Sequence, residues 1–290
     1  METVIANLTK IAGDIQALLE DLLLNHSSIY LWNTPNDSLV VISVSGNYAY
    51  RALEQEGRQI QSRLLDEYRR FREIISALLR GQPKDTLDEL AEADETVSSI
   101  IEQSQTWCKS TQEAFDNAVK ALQAQLGLLA RLYDSSGGET IYVPDTNALL
   151  FNPDLESWRF TDSSRFRIIL LPIVLSELDA LKINHRNEDV RNKAEKLIRM
   201  IKEYRRRGDL RSGVALLKDM IYIQALVIEP DMEKSLPWLD PASNDDRLLA
   251  GVIQVMRSHP RSPVVAVSRD INLQNKAEFA KIPFVEPPDP

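Results

Sequence analysis

Three short apolar runs in the second half of the chain constrain the fold more than any other feature: Ile141–Val143, Phe166–Leu171 and Val264–Val267. Each is too short for an ordinary helix and shows little polar alternation. Strands buried on both faces of a parallel sheet read this way. Helical patterns separate the runs. Ile173–Leu181 follows Pro172, a residue suited to a first helical turn, and places Ile173, Val174, Leu178 and Leu181 on one apolar face. Arg247–Met256 and Ile271–Ala280 read as further helices, Ala225–Ile228 as another strand, and Ile282–Val285 as a last strand before a proline-rich tail. This alternation predicts an α/β domain, a parallel sheet with a layer of helices on each face.

Acidic residues recur where such a sheet would gather them. Asp145 and Asp270 directly follow strand-like runs, Glu177 lies early in the helix after another, and Asp245 and Asp246 open a helix that Ser243 or Asn244 could cap. In an open parallel sheet these positions share the carboxyl edge, where ligands bind. Clustered like charges repel unless protons or cations neutralise them. A set of oxygen donors without His or Cys suits hard cations such as Mg²⁺ or Mn²⁺. Such ions activate water and stabilise the leaving oxygen of a phosphodiester. Taken singly, each acid is equally well a helix cap or a surface charge.

The first half differs in composition. Residues 1–140 carry 21 acids against 12 bases, and residues 141–290 carry 22 of each, so the whole net charge of −9 lies in the first half. Only Pro35 and Pro83 of the 14 prolines fall there. Ser135–Gly138 is the natural joint. The boundaries predicted are an all-α helical bundle over 1–136 and the α/β domain over 139–290. Apolar spacings of three and four predict a helix over Ile5–Leu22, one over Ala52–Leu79 stopped by Gly81 and Pro83, and a long one over Leu87–Leu132 that would contain Trp107 and Cys108. Asn36–Ser38 could cap a helix, and Leu39–Val44 is rich in β-formers. His26, Trp32, Trp107 and Cys108 read as packing residues. The acidic run Asp85–Glu95 reads as a solvated helix face or as a contact for a basic partner. The bundle is expected to serve self-association, partner docking or placement of the second domain.

With one cysteine, Cys108, neither an internal disulfide nor a cysteine-rich metal site can form. No basic start leads into a signal-like apolar region, and the longest apolar stretches, such as Ile168–Leu175, fall short of a membrane span. The expected setting is reduced and cytoplasmic, away from membranes.

Four strings in order, Val143–Leu150, Leu171–Lys182, Asn244–Ala250 and Val267–Ala277, carry a resemblance. From about Thr140 to Pro287 the chain resembles the PIN-domain nucleases of the PIN-like superfamily. It is most similar in flavour to those of RNA decay and processing proteins and those fused to PhoH-like ATPases. The resemblance implies a ribonuclease dependent on Mg²⁺ or Mn²⁺ that cleaves RNA, commonly single-stranded and endonucleolytically. It implies that Asp145, Glu177, Asp245 and Asp270 are catalytic and bind metal, with Asp246 an alternative to Asp245. Ser268 matches the small hydroxyl residue often found before the last acid. Asn147 and Asn272 would support ligand geometry or contact phosphate, or would cap locally. The first 135 residues lie outside the resemblance.

Residues 186–211 contain ten Lys or Arg against five Asp or Glu. Arg186, Arg191, Lys193, Arg199, Arg205, Arg206 and Arg207 either supply a positive path for an RNA backbone or form a solvated helix face with pairs such as Glu195–Arg199. Trp158, Phe160 and Trp238 fall in predicted loops, where they would stack on bases or pack the loops. Two other functions compete with the ribonuclease: a non-catalytic RNA-binding scaffold, and the toxin of a toxin–antitoxin pair. The length of the chain disfavours the toxin, because such toxins are usually a bare domain.

Overall fold

The computed structural model describes residues 4–31, 48–104, 106–133, 138–161 and 164–290. These divide into two compact units, one over Leu8–Leu132 and one over Tyr133–Pro290 together with the start of the first helix up to Asn7. The expected cap at Asn36–Ser38, the β-rich run Leu39–Val44 and Trp32 lie outside the described residues, as does most of the Ser135–Gly138 joint.

The first unit is helical. Helix α1 (Val4–Glu20) runs into a π-helical turn, Asp21–Asn25, and is followed by a short antiparallel pair, β1 (Ile29–Leu31) with β2 (Tyr48–Tyr50). Then come α2 (Gln55–Leu79), α3 (Lys84–Ile101) and α4 (Thr111–Ala130). Leu19, Leu22, Leu64, Phe71, Ile75, Val97, Ile101 and Leu129 are fully buried, as their three-and-four spacing predicts. The single helix expected over Leu87–Leu132 is in fact two. Gln103 takes a left-handed φ of 53°, and Ser110 accepts a hydrogen bond from the Glu113 N–H to cap α4. Trp107 and Cys108 therefore lie in the connection, with Trp107 exposed and Cys108 buried.

The second unit holds a six-stranded sheet. Its strands are β3 (Thr140–Pro144), β4 (Phe166–Leu170), β5 (Val214–Leu217), β6 (Ile221–Ala225), β7 (Val264–Val267) and β8 (Phe284–Val285), in the spatial order β5-β6-β4-β3-β7-β8. All adjacent pairs are parallel except β5–β6, so the sheet is mixed, with one antiparallel edge strand. Its helices are α5 (Thr146–Phe151), α6 (Pro172–Asn184), α7 (Glu188–Arg207), α8 (Asn244–Ser258) and α9 (Ile271–Phe279).

The strand expected at Ala225–Ile228 lies earlier, as β6, and Val227 and Ile228 beyond its end are exposed. Arg167 interrupts the apolar run of β4, and its Nε donates to Glu139 at 2.7 Å. Trp158 is a core residue, and half-buried Phe160 packs against the sheet. Trp158 is fully buried and donates from Nε1 to the Asn152 carbonyl at 3.0 Å, and Phe160 stacks on Tyr142 with ring centroids 3.6 Å apart. Trp238 is half-buried and packs edge-on against Phe279. Gly251 lets α8 lie close to the end of β4, because a Cβ there would stand 2.6 Å from the Leu171 side chain.

Candidate active site

Central strand β3 has β4 on one side and β7 on the other. The connection after β3 leads to β4 and the one after β7 leads to β8, away from each other, which opens a crevice at the carboxyl ends of β3 and β7. Asp145 follows β3 at this point. It is the N-cap of α5, and its Oδ1 accepts from the Ala148 N–H at 2.6 Å. The corresponding residue after β7 is Asp270, the N-cap of α9, whose Oδ1 accepts from the Asn272 N–H at 2.8 Å. Caps of this kind satisfy amide groups that a helix start leaves open. Glu177 projects from the second turn of α6, and Asp245 lies in the first turn of α8.

These four acids line one cleft of about 270 Å³, with Thr146, Asn147 and Asn244 as the other polar walls and Ile173, Ala180, Leu181 and Leu248 as apolar ones. At about 30 Å³ per water, the space holds roughly nine waters, enough for a hydrated ion and one phosphate group. Among the described residues no three His, Cys, Asp or Glu side chains already converge on a single point. The oxygen-only donor set and its mutual repulsion nevertheless fit a hard divalent cation.

The acids are held differently. Asp145 is 5% exposed. Burial pushes its carboxyl up to about 6, and the Asp270 and Glu177 charges push the same way, against hydrogen bonds from Ser268 and Ala148. Ser268 Oγ donates to Asp145 Oδ2 and accepts the Asp270 N–H at 2.9 Å, so one hydroxyl ties two of the acids together. Gln274 in turn donates to the Ser268 carbonyl at 2.8 Å. Glu177 is fixed by two neutral donors, the Thr146 hydroxyl and the Asn244 amide at 2.7 Å. Burial also raises Asp245, with Lys276 acting in the opposite direction.

Asp245 and Asp246 separate clearly. Asp245 faces the cleft. Asp246 is buried and accepts from Lys276 Nζ at 2.6 Å and from the Asp240 N–H at 2.9 Å. Ser243 rather than Asn244 caps α8, accepting the Asp246 N–H at 3.4 Å, which leaves the Asn244 amide for Glu177. Asn147 lines the cleft, whereas Asn272 takes part through its backbone N–H. Sequence reasoning missed Thr146, Asn244 and Lys276 as neighbours of the acids. All three sit inside the four strings that carry the resemblance, yet only contacts between distant segments reveal what they touch.

The basic residues fall on or beside α7. Arg191 closes the α6–α7 turn by donating to the carbonyls of His185 at 2.6 Å and Arg186 at 3.1 Å. Lys193 pairs with Asp189, Arg199 with Glu195, and Arg207 with Glu203 and Glu156. Arg186, Arg205 and Arg206 are exposed. Exposed pairs of this kind contribute little, about 0–1 kcal/mol each, and leave their cations accessible to a stronger anion.

No curated protein matches the chain. The family described as PIN domain matches residues 142–286, which are 145 of the 290 residues and contain every cleft acid. Such membership suggests a nuclease-type function. Through its C-terminal half, the chain belongs to the PIN domain family.

Proposed function

We propose that the protein is a divalent-metal-dependent ribonuclease that hydrolyses phosphodiester bonds within single-stranded RNA. The observation that carries this reading is the meeting of Asp145 and Asp270, which follow strands, with Glu177 and Asp245, which lie on helices, in one small polar cleft. These carboxylates would hold Mg²⁺ or Mn²⁺, which would supply Lewis-acid stabilisation of phosphate charge and a more acidic water. The residues of the chain do the positioning. Ser268 orients Asp145 and fixes the amide of Asp270, and Thr146 with Asn244 holds both oxygens of Glu177. Donors locked in this way keep carboxylates in place without reorganisation when substrate arrives. Burial disfavours Asp145 as a bare anion, so it gains from a cation. Arg186, Arg205 and Arg206 are exposed on and beside α7 and supply positive charge for an RNA backbone.

The test is cleavage of mixed single-stranded RNA and DNA substrates with Mn²⁺ or Mg²⁺, with an EDTA control and with the Asp145→Asn protein. Cleavage that survives both controls rules the reading out. RNA binding without cleavage under any divalent ion would favour the non-catalytic scaffold. For the helical unit we propose a role in self-association or protein docking, to be checked by light scattering of the full chain against a chain starting at residue 138.

A further inference from the structure

The cleft acids fall into two classes by what holds them. Among the described residues, the donors to Asp145, Glu177 and Asp270 are all neutral: the Ala148 amide and Ser268 hydroxyl, the Thr146 hydroxyl and Asn244 amide, and the Asn272 and Leu273 amides. None of these donors cancels a charge. Asp245 faces an ammonium instead, with Lys276 Nζ 3.7 Å from its Oδ2. The half-buried Asp245 is the weaker of the two carboxylates that hold this ammonium. The main anchor is Asp246, which is 5% exposed, uses Oδ2 to accept the Asp240 N–H at 2.9 Å and receives Lys276 at Oδ1 at 2.6 Å. A buried carboxylate with one oxygen bound to a neutral amide retains a net charge that needs a cation close by. Lys276 sits on α9, the helix that Asp270 caps, so its position is also fixed relative to the last acid.

We propose that Lys276 is the resident cation beside the acid cleft: it does not line the cleft, but its ammonium pairs with Asp245, so the cleft takes one divalent ion, on the side of Asp145, Glu177 and Asp270. This inference rests on the metal-dependent reading above. Lys276 is a positioning residue here, acting through Asp245 and Asp246. Removing its charge while keeping a hydrogen-bond donor leaves Asp245 uncompensated beside the other three acids and opens a second cation position.

The experiment is calorimetric Mn²⁺ titration of the full chain, checked by the electron spin resonance signal of free Mn²⁺, on the wild type, Lys276→Arg and Lys276→Gln. The expected result is one ion per chain for the wild type and Lys276→Arg, and two for Lys276→Gln. Because Asp246 is buried, Asp246→Asn/Lys276→Gln carries the same readout without a buried charge if the single variant does not fold. Two ions in the wild type, or one ion in both glutamine variants, overturns the role of Lys276. A wild-type chain that binds no Mn²⁺ instead overturns the metal reading itself, and this inference with it.

Discussion

In the helical unit, tyrosine and cysteine aside, Gln125 is the single buried polar side chain among the described residues, whereas the α/β unit buries Asp145, Thr146, Asn152, Ser235, Asp246 and Ser268. Gln125 donates to the Tyr68 hydroxyl at 2.7 Å, and Tyr68 donates to Asp94 at 2.9 Å, while Gln125 Oε1 has no hydrogen-bond partner. Burial holds the Tyr68 phenol far above its usual range, so it stays a neutral donor. In the α/β unit, Asp145, Thr146 and Ser268 collect at one strand-end edge and bond to one another or to Glu177. Removing polar groups from water is costly unless they are satisfied. One unit avoids that cost almost everywhere, and the other places about half of it where the cleft acids meet. Under the proposed function, the difference separates residues kept for packing from residues kept for chemistry.

The strongest way to break this contrast is Asp145→Asn. We expect RNA cleavage in Mn²⁺ to fall by about 10³-fold or more, the rate equivalent of several kcal/mol of lost electrostatic stabilisation. A fluorogenic single-stranded RNA reads this directly, and an unchanged rate would reduce Asp145 to a helix cap.

Next comes a packing change in the other unit. Phe71→Ala should cost about 3–5 kcal/mol in urea unfolding through the cavity it leaves. Under native conditions it should leave Mn²⁺ affinity untouched. A shift in Mn²⁺ affinity would mean that packing in the helical unit reaches the cleft.

Asp145→Asn also sharpens the contrast through stability. The folded carboxyl titrates near 6 against an ordinary 3.8. Between these values the folded chain holds a proton that the unfolded chain has lost, so wild-type stability falls as pH rises through the window and stays lower above it. In EDTA at pH 7 the asparagine variant should therefore be more stable by about 1–3 kcal/mol, with the gain gone by pH 4. Equal melting temperatures for the two proteins at pH 7 would show that Asp145 carries no desolvation strain.

Ser268→Ala removes the hydroxyl that ties Asp145 to the Asp270 amide. Mn²⁺ affinity should weaken by about 10–100-fold, as for other groups that orient ligands from behind, and a titration isotherm measures it. Gln125→Leu should have the smallest effect. It removes one donor to the Tyr68 hydroxyl together with an acceptor that lacks a partner, and the two changes offset, so stability should change by less than about 1 kcal/mol. A large loss in its melting temperature would show that polarity in the helical core is also kept for a purpose.

Much of this arrangement was legible in the sequence because buried parallel strands announce themselves and their ends fix where the next residue points. Val264–Val267 matches β7, and Phe166–Leu170 lacks only the last residue of the run that predicts it. What was lost had no local signal. The β5–β6 hairpin turns through Asp219, a non-glycine residue with φ 61°, and the apolar run continues past the end of β6 into exposed Val227 and Ile228. The break between α3 and α4 contains neither proline nor glycine, so helical spacing reads straight across it. The choice between Asp245 and Asp246 depended on Lys276, thirty residues from Asp246 in sequence. Apolar periodicity fixes the helix but not the partner that each of two adjacent acids finds.

Asp145 and Asp270 cap α5 and α9 while lining the cleft. Asparagine caps a helix about as well as aspartate. Exchanging one oxygen for a nitrogen at either position would therefore remove a charge and keep the fold, in the case of Asp145 with a gain in stability. A lineage that no longer needs the chemistry meets no folding barrier to abandoning it. Under the proposed function, Asp145 and Asp270 are kept for the chemistry, because asparagine would serve both caps about as well.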